Sequence, residues 1–279
     1  MACFTLGIVG VIYYLSEGPA AGWSAAAPLA ILVVGVVLLI SFVVIEHKIA
    51  YPIMPLHIWH SRRLIASCVT TICMMAGLNA HFFFSSLTFQ NVLMYSPLKT
   101  SFAYITHGVG SILAVVVLGF VMKSVRTKVV LMVGWVFFLG SGVVWAQIQA
   151  DSSYWSIPFP ALVLNFVGMA SIWLCCQLNS VADAADEDQG VVGAVYNVCM
   201  QIGAPIGIAI TNIIANSRNP EIAVGAELLP GYRAAFYAIA VMAGVGMVAT
   251  LVLAPNTDNV KKPDGADIES EGKTPETLA

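Results

Sequence analysis

The chain has 279 residues, of which 59% are hydrophobic and 10% charged, against roughly 25% charged in an ordinary soluble domain. The mean hydropathy of +0.86 comes from long apolar blocks that exceed what a soluble fold of this size buries, so the bilayer is the main solvent. A formal net charge of −3 with no long block of like charge excludes a basic field for nucleic acid.

Apolar runs near the roughly 20 residues that cross a hydrocarbon core predict about eight spans: Cys3–Leu15, Leu29–Ile45, Leu64–Leu93, Ser101–Met122, Val129–Gln147, Ile157–Gln177, Val191–Ala215 and Ala234–Leu253. The fold class expected is all-α integral membrane, because a membrane barrel would show shorter strands of alternating polarity. The first run is short of a full span. It lacks the basic start of a signal peptide and reads as a helix clipped at its beginning. With both termini on the cytoplasmic side, nine of the Lys and Arg residues (Lys48, Arg62, Arg63, Lys123, Arg126, Lys128, Lys261, Lys262, Lys273) lie inside and three (Lys99, Arg218, Arg233) outside. That bias supports this orientation. Trp23, Trp59, Tyr154, Trp155, Tyr232 and Tyr237 fall near expected interfaces and read as anchors. From Asn256 onward large apolar side chains almost vanish, and a disordered cytoplasmic tail is expected.

The fifteen acidic residues all map to span ends, loops or the tail, so no carboxylate is placed to carry a proton through the membrane. His81 and His107 are the two deep ionisable residues. His81 lies in LNAHFFFSSLTFQN, where Asn79, Ser85, Ser86, Gln90 and Asn91 make the third span unusually polar. Such groups either face a wet cavity or bond neighbouring helices. The sixth span repeats the pattern with Asn165, Trp173, Gln177 and Asn179. In the seventh, Asn197 and Gln201 share one face a turn apart, while Gly203 and Gly207 flank Pro205. The glycines suit close helix approach, and the proline suits a kink at a gate. The six cysteines lie in apolar stretches without paired metal spacing and read as small buried hydrophobes. The acidic loop with Asp183, Asp186, Glu187 and Asp188 has no histidine beside it in sequence and reads as solvated rather than metal-binding. No nucleophile elbow, phosphate loop, zinc motif or cofactor fingerprint occurs, so no enzyme activity, cofactor or metal is expected.

Several phrases resemble, in order, the fourteen-span drug:proton antiporters of the major facilitator superfamily as found in fungi. LSEGPAAGW (15–23) resembles the outer turn between that group's two central linker helices, and YPIMPLHIW (51–59) the cytoplasmic segment after them. QNVLMYSPL (90–98) resembles the end of the first helix of the C-terminal half, and DQGVVGAVYNVCMQIGAPIG (188–207) the entry to its fifth. GFVMKSVRTK (119–128) resembles the second copy of the family's basic loop motif, with Gly119, Arg126 and Lys128 in place. Lys123 stands where the motif carries an acid.

The resemblance implies two linker helices and a connector in residues 1–63, a six-helix half in 64–254 and the tail in 255–279. It also implies that six preceding spans are missing, and that Asn79, His81, Phe82, Phe83 and Gln90 face Asn165, Trp173 and Gln177 across a pocket for bulky organic compounds. Asn197, Gln201, Gly203, Pro205 and Gly207 belong to gating or packing. The implied function is proton-coupled export of drugs or secondary metabolites from the plasma membrane, with the vacuolar membrane as the alternative location. The partners expected are the bilayer, a small organic substrate, protons, and an N-terminal half or a second copy. The alternative reading is a non-transporting subunit that pairs with another half or with itself.

Overall fold

Helices hydrophobic on nearly every side cannot stand in water, and the described residues build eight of them. The computed structural model describes residues 2–22, 24–46, 56–219 and 224–254. They form α1 (Ala2–Ala21), α2 (Ala26–Glu46), α3 (Arg62–Leu87), α4 (Pro97–Val121), α5 (Thr127–Trp145), α6 (Pro158–Val181), α7 (Gln189–Asn216) and α8 (Leu229–Leu253). A 3₁₀ turn at Leu56–His60 precedes α3, a π turn at Thr88–Val92 extends it, and a second 3₁₀ turn at Gly225–Leu228 leads into α8. There is no β-strand among the described residues. Seven helices are long and apolar enough to cross a membrane, and the fold is that of a multi-span membrane helical bundle.

All eight helices coincide with predicted spans. The first departs in length: α1 continues through Ser16 to Ala21 and stops before Gly22, whose φ is 87°. The stretch expected as an outer turn is therefore helical up to Ala21. Hydropathy locates only the apolar portion, Cys3–Tyr14, whereas the backbone ladder runs on until a residue free to adopt positive φ ends it. The tail 255–279, Trp23, Lys48 and most of the segment before Leu56 lie outside the described residues.

Local signals set the other boundaries. Ser61 accepts the Leu64 N–H at 3.2 Å and Ser96 the Lys99 N–H at 3.3 Å, with Pro97 as the first residue of α4. Both are N-caps, and the proline sits where no intrahelical donor is needed.

The centre of the bundle is α3, which packs on α6, α7 and α8; α5 joins α6 to α8, and α4 lies against α6. The α1–α2 hairpin joins through α1 on α7. Glycines mark the tightest seams. A Cβ at Gly203 would stand 2.5 Å from the Ile72 carbonyl, and one at Gly207 would collide with the Ala76 carbonyl, so α3 and α7 touch backbone to backbone. Gly7, Gly10 and Gly35 do the same between α1 and α2.

Two aromatic cores fill the interior. Phe84, Phe89, Trp145, Tyr232 and Phe236 meet where α3 ends; Met74, Leu131, Trp135, Phe138 and Tyr196 meet nearer its start. Cys68, Cys175, Cys176 and Cys199 are buried and free. The outside is equally apolar, with Phe102, Val109, Leu113, Val117 and Phe120 exposed along α4 and Val33, Val37 and Ile40 along α2. Water would penalise such surfaces, whereas lipid matches them.

Candidate functional site

Helical periodicity splits the polar residues of α3 between two sides. Asn79, Phe83, Ser86 and Gln90 recur at spacings of four, three and four, and they form its least buried side, with Phe83 36% exposed and Gln90 exposed. Asn79 Nδ2 donates to the Met75 carbonyl at 2.9 Å, and Gln90 Nε2 to Ser86 Oγ at 3.1 Å. These bonds within one helix leave part of each amide free for a further partner.

His81 points the other way. It is fully buried, with its ring centroid 5.9 Å from Trp145 of α5 and 6.1 Å from Phe236 of α8, both edge-on. Phe82 sits beside it and packs on His107 of α4 at 4.7 Å. His107 Nε2 and Asn165 Oδ1 of α6 are hydrogen-bonded at 2.9 Å, and Ser111 lies 3.4 Å from the other ring nitrogen. Ser85 Oγ donates to the His81 carbonyl and pairs with Tyr104 Oη, both at 2.6 Å. The structure thus brings His81, Phe82 and Asn165 together with His107 in one inner group. Asn79, Phe83 and Gln90 lie on the opposite side of α3.

On α6, Trp173 and Gln177 are half-buried, four residues apart on one side. Asn197 and Gln201 are exposed on α7, where Asn197 Nδ2 donates to the Gly193 carbonyl at 2.9 Å. Gly203 and Gly207 occupy the α3 contact, and Pro205 stands within a continuous α7. The loop motif forms a tight turn at 122–126 between α4 and α5. Gly119 is exposed with open space around it, and Lys128 Nζ donates to the Ala254 carbonyl at the end of α8 at 3.2 Å.

The acidic loop between α6 and α7 keeps Asp183, Asp186 and Glu187 exposed and is also tied to the connector before α3. Asp183 accepts from Ser61 Oγ at 3.0 Å and pairs with Arg63 at 3.1 Å, while Asp188 meets His57 Nε2 at 2.7 Å. Ile58 drops into an apolar seat formed with Leu64, Val192 and Val195. The loop is docked on the connector because burying Ile58 brings the polar partners into register. The exposed ion pair itself contributes only about 0.2–1 kcal/mol. Sequence reading missed this set, along with Tyr104, Ser111 and Trp145. A serine four residues after His107 was a local signal; the pairing of residues 57 and 188 had none. Among the described residues no cluster of three or more His, Cys, Asp or Glu could hold a metal ion.

No protein-family model matches the chain. Curated relatives do. A low affinity ammonium transporter of Saccharomyces cerevisiae is 23% identical over 255 residues, 90% of this chain and 48% of that protein. A major facilitator superfamily multidrug transporter of Aspergillus fumigatus is 23% identical over 89% of the chain and 49% of its own length. A puromycin resistance protein of Streptomyces alboniger is 24% identical over 75% and 42%. These matches and the multi-span helical fold support membership of the major facilitator superfamily. The chain spans about half the length of the curated relatives it matches. Major facilitator proteins move solutes, and a transport function rather than a catalytic one is what the matches support.

Proposed function

We propose that the chain is the C-terminal portion of a major facilitator exporter, with α1 and α2 as its two central linker helices and α3–α8 as its C-terminal six-helix half. In this reading, both termini are cytoplasmic and the complete transporter moves small organic compounds out across the plasma membrane in exchange for protons. The observation that carries the reading is the polar side of α3. Asn79, Ser86 and Gln90, together with Gln177 of α6 and Asn197 and Gln201 of α7, interrupt an exterior that is otherwise apolar. Lipid cannot satisfy such groups, so they call for a wet cavity and a second protein wall. Phe83 and Trp173 supply aromatic surface beside the amides, a combination suited to amphipathic organic molecules. His81, Phe82 and Asn165 stand behind this wall and support it. Two of the relatives are named for multidrug transport or puromycin resistance and a third for ammonium transport, which favours small nitrogen-containing substrates.

Transport by proteoliposomes tests the proposal. Vesicles holding this chain together with six preceding spans should accumulate a fluorescent drug when the lumen is made acidic, so that protons leaving drive the drug in. The chain alone should match empty vesicles. Gradient-driven, protonophore-sensitive flux by the chain alone would replace the proposal with a homodimer in which two copies supply both walls. With the missing half supplied, Asn79→Ala and Gln177→Ala should reduce export far more than His60→Ala, which alters an exposed side chain.

A further inference from the structure

Buried polar atoms in proteins nearly always have partners, and an exception asks for an explanation such as bound water. Four such atoms stand without one among the described residues: both ring nitrogens of His81, Trp145 Nε1 and Asn165 Nδ2. All three side chains have 0% exposure. They belong to one neighbourhood, since His81 meets Trp145 edge-on and Phe82 lies between His81 and His107, the partner of Asn165. The nearby hydroxyls are already engaged, Ser85 with the His81 carbonyl and Tyr104 with Ser85 and the Phe82 carbonyl.

The chemistry of the four atoms restricts the ligand. Trp145 Nε1 and Asn165 Nδ2 only donate, whereas a neutral imidazole offers one donor and one acceptor. An anion would satisfy the donors and leave the imidazole acceptor facing like charge. A metal ion would use that acceptor alone, and the described residues hold no cluster able to complete its coordination. Water donates and accepts, and it is the usual occupant of polar buried sites. We propose that His81, Trp145 and Asn165 form an internal water site between α3, α5 and α6, separate from the outward polar side of α3. One water bonded to His81 takes the Trp145 N–H, and a second, on the far side of Phe82, takes Asn165 Nδ2. The side chains shown against His81 and Trp145 are the rings of Phe82, Phe89 and Phe236, so the site holds neutral solvent among apolar walls.

Radiolytic hydroxyl footprinting of the full chain in lipid nanodiscs, run in ¹⁸O-labelled water, reads bound water at buried aromatic rings. Trp135 is the internal control, being equally buried but hydrogen-bonded to Thr250, and Trp155, 71% exposed, sets the solvent-accessible rate. Trp145 should incorporate label several-fold faster than Trp135. His81→Leu should bring Trp145 down to the Trp135 rate and leave Trp155 unchanged, whereas His81→Gln, which retains a donor and an acceptor, should preserve the labelling. Trp145 labelled as slowly as Trp135 in the unaltered chain would overturn the proposal, as would a His81→Leu variant with undiminished labelling. If a variant unfolds, Trp135 rises to the Trp155 rate, and the unaltered chain's ratio of Trp145 to Trp135 decides alone.

Discussion

Two tryptophans on α5, both fully buried, meet opposite treatment. Trp135 Nε1 donates to Thr250 Oγ1 at 2.9 Å; that hydroxyl donates to the Gly246 carbonyl at 2.8 Å and lies 3.2 Å from Thr70 Oγ1. Trp145 stacks on Phe236 at 5.1 Å with its N–H unpaired beside His81. Near the start of α3, polar atoms are therefore closed off by side chains of α3, α5 and α8. Near its end Ser85 and Asn91 are paired with Tyr104 and Tyr232, but the His81 nitrogens and Trp145 Nε1 meet no protein partner. The contrast teaches that burial alone says little about rigidity: one core is a finished hydrogen-bond network, and the other keeps polar capacity in reserve.

The sharpest way to break the contrast is to crowd the finished core. A Cβ at Gly246 collides with the Trp135 ring, so Gly246→Val should cost about 3 kcal/mol or more through overpacking. Thermal unfolding of the chain in detergent reads this as a large loss, and an unchanged midpoint would show that the ring has room to move. Next comes Thr250→Val, which leaves Trp135 and Thr70 without a partner and should cost about 2 kcal/mol. Replacing each tryptophan with Phe sharpens the comparison because the lost volume is the same. Trp135→Phe should exceed Trp145→Phe by about 1 kcal/mol, the worth of one hydrogen bond. Equal losses would mean that the Thr250 contact carries no stability. The smallest change is expected for His81→Leu. The change removes two nitrogens that no protein group bonds, so only water contacts are lost and stability should stay within about 1 kcal/mol. A loss comparable to that of Thr250→Val would mean that the imidazole is held by protein groups rather than by water.

The spans were readable because hydrocarbon demands long apolar runs and little else, and seven of the eight helices could be placed to within one turn or two. Where α1 ends was not readable, since Ser16–Ala21 is no longer apolar yet stays helical. The two sides of α3 were readable in principle. At 3.6 residues per turn, His81 lies about 200° around the helix from Asn79, whereas Phe83 lies about 40° away. Which side faces the interior depends on α5 and α8, whose Trp145 and Phe236 lie far along the chain from His81. The docking of Asp188 on His57 was hidden for the same reason. Their side chains meet across 131 positions, and the intervening order is decided by how α3 and α7 pack.

The glycine seams carry a consequence for how the chain is made. The α1–α2 hairpin closes on itself at Gly7, Gly10 and Gly35, so it can leave the insertion machinery as a finished pair while later helices are still being translated. α3 has no such neighbour. The helix with which it shares its closest seam, α7, is synthesised only after α4, α5 and α6. Until then α3 has α4, α5 and α6 beside its inner side but its Ala76 backbone uncovered. When α7 arrives it docks on α3 and α1 together, joining the early hairpin to the rest in one late step. Chains halted before residue 189 should therefore be the ones that quality-control proteases clear, and chains extended past residue 216 the first to survive.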